Sequence, residues 1–178
     1  MRILTLLLIA LPFLGKAQLD SAQWMVGGSA SGNVTNIADA YAYTFSIEPQ
    51  VGYFLAPNHI VGLQGSIGFA SQGNSYSGVG FYRGLYFVQP SLALMGQVEL
   101  GYLYRETVSV FDGAITSFQG VKFGAKAGIS SFLAPNVSLD TFLFYDGNNS
   151  YAISPKSGES PPTLEQNFGL GVGFQIYL

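Results

Sequence analysis

The chain has 178 residues; 10% are charged, 15% are aromatic, 23 are glycine and none is cysteine, with a mean hydropathy of +0.32. Charge is less than half the ~25% usual for a soluble domain although the apolar share is ordinary at 48%, which excludes a disordered chain and disfavours a water-covered surface. The length fits one domain, and a formal charge of −3 disfavours nucleic acid, whose phosphates demand a basic surface.

The first element is an address. Met1-Arg2 gives a positive start, Ile3 to Leu14 is almost wholly apolar, and Gly15-Lys16-Ala17 puts small residues before a cut ahead of Gln18. Residues 1–17 are therefore read as a cleaved signal peptide and 18–178 as one barrel domain. A membrane helix needs about 20 apolar residues, and this run breaks at Pro12 and Gly15. Cleavage leaves five of the seven basic residues against ten acidic ones, a net charge of −5.

From there the pattern has period two. Strands are expected near 22–31, 41–55, 59–70, 79–89, 92–106, 118–132, 137–146 and 165–178. In the last, Phe168, Leu170, Val172, Phe174, Ile176 and Leu178 share one face, and Asn167, Gly169, Gly171, Gly173, Gln175 and Tyr177 the other. Ala56-Pro57-Asn58, Gln89-Pro90-Ser91 and Ala134-Pro135-Asn136 read as tight turns. Phe54-Leu55-Ala56-Pro57-Asn58 recurs as Phe132-Leu133-Ala134-Pro135-Asn136, a reused corner. The stretches 32–40, 71–78, 107–117 and 147–164 read as long loops. Eight strands with three short turns and four long loops fit an all-β, antiparallel, up-and-down transmembrane barrel.

A soluble lipocalin-like barrel would show the same alternation with the faces exchanged. An arginine or lysine on the lipid face costs about 2–4 kcal/mol at mid-membrane. Glu48, Glu99, Lys122, Lys126 and Asp140 all fall on the polar parity, so the apolar parity is assigned to lipid. If loop 147–164 closes a hairpin, Phe142 and Phe144 cover Gly169 and Gly171.

On this alternation, the chain resembles the small eight-stranded outer-membrane β-barrels, the OmpA-transmembrane and OmpX-like class. Pro49-Gln50-Val51-Gly52-Tyr53-Phe54 and Phe81-Tyr82-Arg83 are similar to Bacteroidota-type members. The tail Gly173-Phe174-Gln175-Ile176-Tyr177-Leu178 is similar to the family's C-terminal insertion signal, with Gly173, Ile176 and Leu178 at its key positions and leucine where phenylalanine is usual. The resemblance implies the bacterial outer membrane as location and, as partners, outer-membrane lipid, lipopolysaccharide and the barrel-assembly machinery. A monomer is expected.

Hairpins without bulges would set Arg83 opposite Glu99 and Glu99 opposite Lys126, with Glu48 at similar depth. Glu99, Lys126, Arg83 and Glu48 are thus expected to form an interior charge cluster that plugs the bore, because an uncompensated buried charge is costly. His59, the sole histidine, reads as a turn filler on the periplasmic side. With one histidine and no cysteine, neither a hydrolase of histidine-dependent type nor a standard zinc site is expected, and no cofactor is. Asp112, Asp146, Glu159 and Glu165 read as acidic loop residues that could hold calcium only weakly. The expected role is structural, or surface contact through the loops. A narrow pore, or an OmpW-like path for small hydrophobic molecules, is the runner-up, and a secreted soluble barrel the third reading.

Overall fold

The computed structural model describes residues 19, 23–37, 40–70, 73–108, 115–154, 158–159 and 163–178. The expected leader 1–17 and its cut lie outside them, as does Asp112. The strands are β1 (Trp24–Ile37), β2 (Ala40–Ala56), β3 (His59–Ala70), β4 (Gly73–Gln89), β5 (Leu92–Val108), β6 (Ile115–Ala134), β7 (Val137–Ser154), the two-residue β8 (Gly158–Glu159) and β9 (Thr163–Tyr177). Each long strand pairs antiparallel with its neighbour in sequence, and β9 pairs with both β7 and β1. The sheet thereby closes on itself as an eight-stranded barrel, with β8 a short ribbon on the end of β7.

The outward face is apolar and the inward face mixed. Leu63, Leu100, Leu143 and Phe168 are each more than 60% exposed, while Arg83, Lys122 and Lys126 are at most 5% exposed. That is the reverse of a soluble barrel and the distribution of a transmembrane one. Inside, the rings of Phe142 and Phe144 lie over Gly171 and Gly169, where a Cβ would collide with them. Glycine makes room for a ring in a bore too narrow for two side chains.

The long loops expected between strands are largely strand. The ladder continues to Ile37↔Ala40, Ala70↔Gly73, Val108↔Ile115 and Ser150↔Thr163. Serine, glycine and asparagine read as loop by composition, yet a wall rising into water needs no apolar face to stay paired. Gly73 ends one such connection with φ +152, a conformation that only glycine takes without strain.

The three tight turns stand where expected, at 57–58, 90–91 and 135–136, and Asn58 takes φ 66. Each is preceded by the same register shift, between Phe54 and Ala56, Phe87 and Gln89, and Phe132 and Ala134. The corner is therefore used three times: every turn proline stands three residues after a phenylalanine that points into the bore. Phe87 and Phe132 have ring centroids 5.2 Å apart, Phe132 and Tyr177 5.6 Å, and Phe54 and Tyr177 6.0 Å. Met25, Ile60, Leu85, Met95 and Leu19 complete this apolar cluster at the turn end. Besides the expected interior charges, the bore thus holds a layer of aromatic and aliphatic side chains at its turn end.

Candidate functional site

Above the aromatic layer lies the charged one. Its register differs from the hairpin count, so two expected pairings are corrected. Arg83 stands opposite Gln97, and Glu99 opposite Phe81 on one side and Gly124 on the other; Lys126 faces Gln97. In β4–β5 the count misses the turn centre by one residue and the extra residue of the bulge between Phe87 and Gln89 by another. The β5–β6 ladder has no bulge, and its pairing shifts because the connection is centred midway between Val108 and Ile115, one residue before the expected centre at 112–113.

Side-chain reach restores part of the cluster. Lys126 Nζ lies 2.6 Å from Glu48 Oε2 and 3.4 Å from Glu99 Oε2, both carboxylates being almost wholly buried. Lys122 Nζ lies 3.6 Å from Glu99 Oε1 and 3.3 Å from Asp146 Oδ2. The cations flanking Glu99 are therefore Lys122 and Lys126. Arg83 forms its own pair, with Nη1 donating to Asp140 Oδ2 at 3.0 Å in a fully buried setting. It joins the rest through Gln97, which accepts from Arg83 Nε at 2.9 Å and donates to Glu99 Oε2 at 3.3 Å.

The neutral residues matter as much as the charges. Glu48 accepts from Ser29, Ser31 and Ser46 as well as Lys126, and Gln64 accepts from Lys126 and Gln97. Buried ions need this saturation, because Coulomb attraction alone does not offset desolvation. The expected cluster left out Gln64 and Gln97, although both stand on the inward parity of their strands, Gln97 two residues before Glu99 and opposite Lys126.

Asp146 and Glu165, expected at the strand ends and read as part of the acidic loops, each have a cation partner. Arg105 donates to both oxygens of Glu165, at 2.6 and 2.7 Å. Glu165 lies among the first residues of β9, at its turn-distal end beside the outward-facing Gln166, and the Arg105 hydrogen bonds hold its carboxyl below the usual carboxylate range. A cavity of about 130 Å³ opens over the charged layer, lined by Ser46, Ser66, Ser77, Arg105, Lys122 and Asp146 among others. Among the described residues no group of three or more His, Cys, Asp or Glu could hold a metal ion.

His59 is more than turn filler: its Nδ1 lies 2.6 Å from Tyr82 Oη, with the rings stacked on the outer wall. At the tail, Gly173 faces the bore, Ile176 is half-buried and Leu178 is exposed, with the Leu178 backbone bonded to Trp24.

No protein-family model matches the chain, and no curated protein does. Solved structures do. The chain is similar to Neisserial surface protein A (NspA), with a TM-score of 0.64 and 14% identity over 87% of this chain and 96% of that one. It is also similar to the N-terminal β-barrel domain of Pseudomonas aeruginosa OprF, with a TM-score of 0.50 and 18% identity over 88% and 98%. At such identities the likeness is one of fold.

Proposed function

We propose that the mature chain is an integral outer-membrane barrel with a structural or surface-contact role, its bore plugged by side chains at two levels. The carrying observation is that Arg83, Arg105, Lys122 and Lys126 all point inward while the outward face of the apolar band is uncharged. Such a wall is stable against acyl chains and unstable against water. The fold likeness to the two barrels above supports the reading. Residues 1–17 serve as the export signal, and Gly173, Ile176 and Leu178 as the feature read by the assembly machinery. Lipid and lipopolysaccharide surround the band. The paired strand ends beyond it form a stiff collar that offers contacts to partners outside the cell.

A lateral route for small hydrophobic molecules has one observation in its favour. The β2–β3 ladder is unpaired between Ile47↔Ile67 and Gln50↔Gln64, where Pro49 has no N–H to give, and an outer depression of about 550 Å³ lies over that point. Behind it stand Glu48 and Gln64, which repel apolar cargo, so the structural role is preferred. Planar-bilayer recording tests the plug: absence of discrete steps is expected, and reproducible channel steps would replace the structural role with transport. Recovery of the protein in the soluble fraction would end the membrane reading.

A further inference from the structure

The charged layer does not balance. Glu48, Glu99 and Asp146 supply three carboxylates to one connected group, and Lys122 and Lys126 supply two ammonium ions, leaving one negative charge. The remaining described interior ions, Arg83 with Asp140 and Arg105 with Glu165, cancel in pairs. A net charge enclosed by lipid is costly, and a counter-charge is the expected remedy.

The geometry shows where it would sit. Gly124 stands directly between Glu99 on β5 and Asp146 on β7. A Cβ placed on Gly124 would lie 2.6 Å from Asp146 Oδ1 and 2.9 Å from Glu99 Oε1. Those are two buried oxygens that accept no hydrogen bond, and the Glu99 side chain has no exposed surface. Lys122 reaches Glu99 Oε1 only at 3.6 Å and binds Asp146 through the other oxygen. Two carboxylate oxygens without a hydrogen bond, one of them in a long ion pair with Lys122, thus converge over the bare face of a glycine. Asp146 and Lys122 also line the 130 Å³ cavity, so water and small ions reach the place from the external end.

We infer that Glu99 and Asp146 bind a singly charged alkali cation over Gly124, with water from the cavity completing its shell. One positive charge makes the layer neutral, whereas a divalent ion would overcharge it. Two carboxylate ligands plus water suit a hard, oxygen-seeking cation. The site goes beyond the structural role and stands whether or not the bore conducts.

The groups whose ionisation bears on the site are Glu48 on β2, Glu99 on β5, Lys122 and Lys126 on β6 and Asp146 on β7, with Arg105 and Glu165 at the cavity wall. The test compares thermal unfolding of the detergent-solubilised barrel in sodium chloride and in choline chloride at equal ionic strength. Sodium should raise the unfolding temperature saturably, by about 4 °C at tenfold saturation. Gly124→Ala, whose methyl occupies the site, and Asp146→Asn should lose the rise, while Glu106→Gln on the outer wall keeps it. Sodium-23 relaxation on the unaltered protein needs no variant and should show broadening that potassium reverses. Equal unfolding temperatures and unbroadened sodium would overturn the assignment. So would an identical pH dependence in both salts with no sodium effect, which would make the counter-charge a shared proton, or a response to calcium alone.

Discussion

The two halves of the bore are filled by opposite means. At the turn end, Phe54, Phe87, Phe132 and Tyr177 meet ring to ring, and their stability comes from area and dispersion. In the middle, Glu48, Glu99, Lys122, Lys126, Arg83 and Asp140 hold one another through ion pairs and serine and glutamine side chains. An apolar layer degrades gradually as atoms are removed. An ionic layer fails abruptly, because deleting one partner leaves the other charged, buried and alone. The same narrow cylinder therefore responds differently to truncation at two depths.

The largest expected effect is in the ionic half. Arg83→Ala strands Asp140, which has no exposure, and should destabilise by about 4 kcal/mol in denaturant titrations of the detergent-solubilised protein. Converting both members together, Arg83→Met with Asp140→Leu, should restore most of that loss. If the double variant were no better than the single one, the contrast between the halves would be lost. Phe132→Ala, in the aromatic half, should cost about 3 kcal/mol by removing a ring that touches both Phe87 and Tyr177. There Phe132→Leu should recover a good part by volume alone, as no ionic substitution would.

Charge count sharpens the comparison further. Lys126→Met leaves three carboxylates with one ammonium ion, so it should lose about 2 kcal/mol more than Glu99→Ala, which removes the surplus charge along with its hydrogen bonds. Equal losses would mean that local packing decides and net charge does not. The smallest effect belongs to Arg105–Glu165, which is half-buried and open to water. Glu165 has its pKa lowered in the folded barrel, so its contribution is present above the unfolded value and lost as pH falls through the folded one. The margin of the unaltered protein over Glu165→Gln should be under about 1 kcal/mol at neutral pH and should vanish as pH falls through the lowered pKa of Glu165, below the ordinary carboxylate range.

The sequence carries the barrel plainly because lipid enforces a simple rule. Leu94, Val98, Leu100 and Tyr102 alternate with Gln97 and Glu99 since no charge is tolerated outside. The proline turns are legible for a related reason, each needing a residue that ends pairing. Two features are hidden by physics that acts at a distance. The bulge between Phe87 and Gln89 leaves no compositional mark, yet it shifts the β4–β5 ladder by one residue and brings Arg83 opposite Gln97. Lysine side chains then reach diagonally, so Lys126 finds Glu48 on the far wall, a contact no hairpin count contains. The aromatic cluster at the turn end was missed because only its first and third phenylalanines sit in a repeated string, while Phe87 shares just its spacing to the following proline.

All of this assumes that the bulky face of each strand meets acyl chains. The chain has no cysteine, so single cysteines carrying a nitroxide can be placed at Leu100, Leu143 and Leu63 outside and at Gln97 inside. In liposomes, spin-label collision rates should be high with oxygen and low with a water-soluble nickel chelate at the three leucine sites, with the label at Gln97 shielded from oxygen in the bilayer. A high nickel and low oxygen response at the leucine sites would put water on the apolar wall and contradict the membrane barrel.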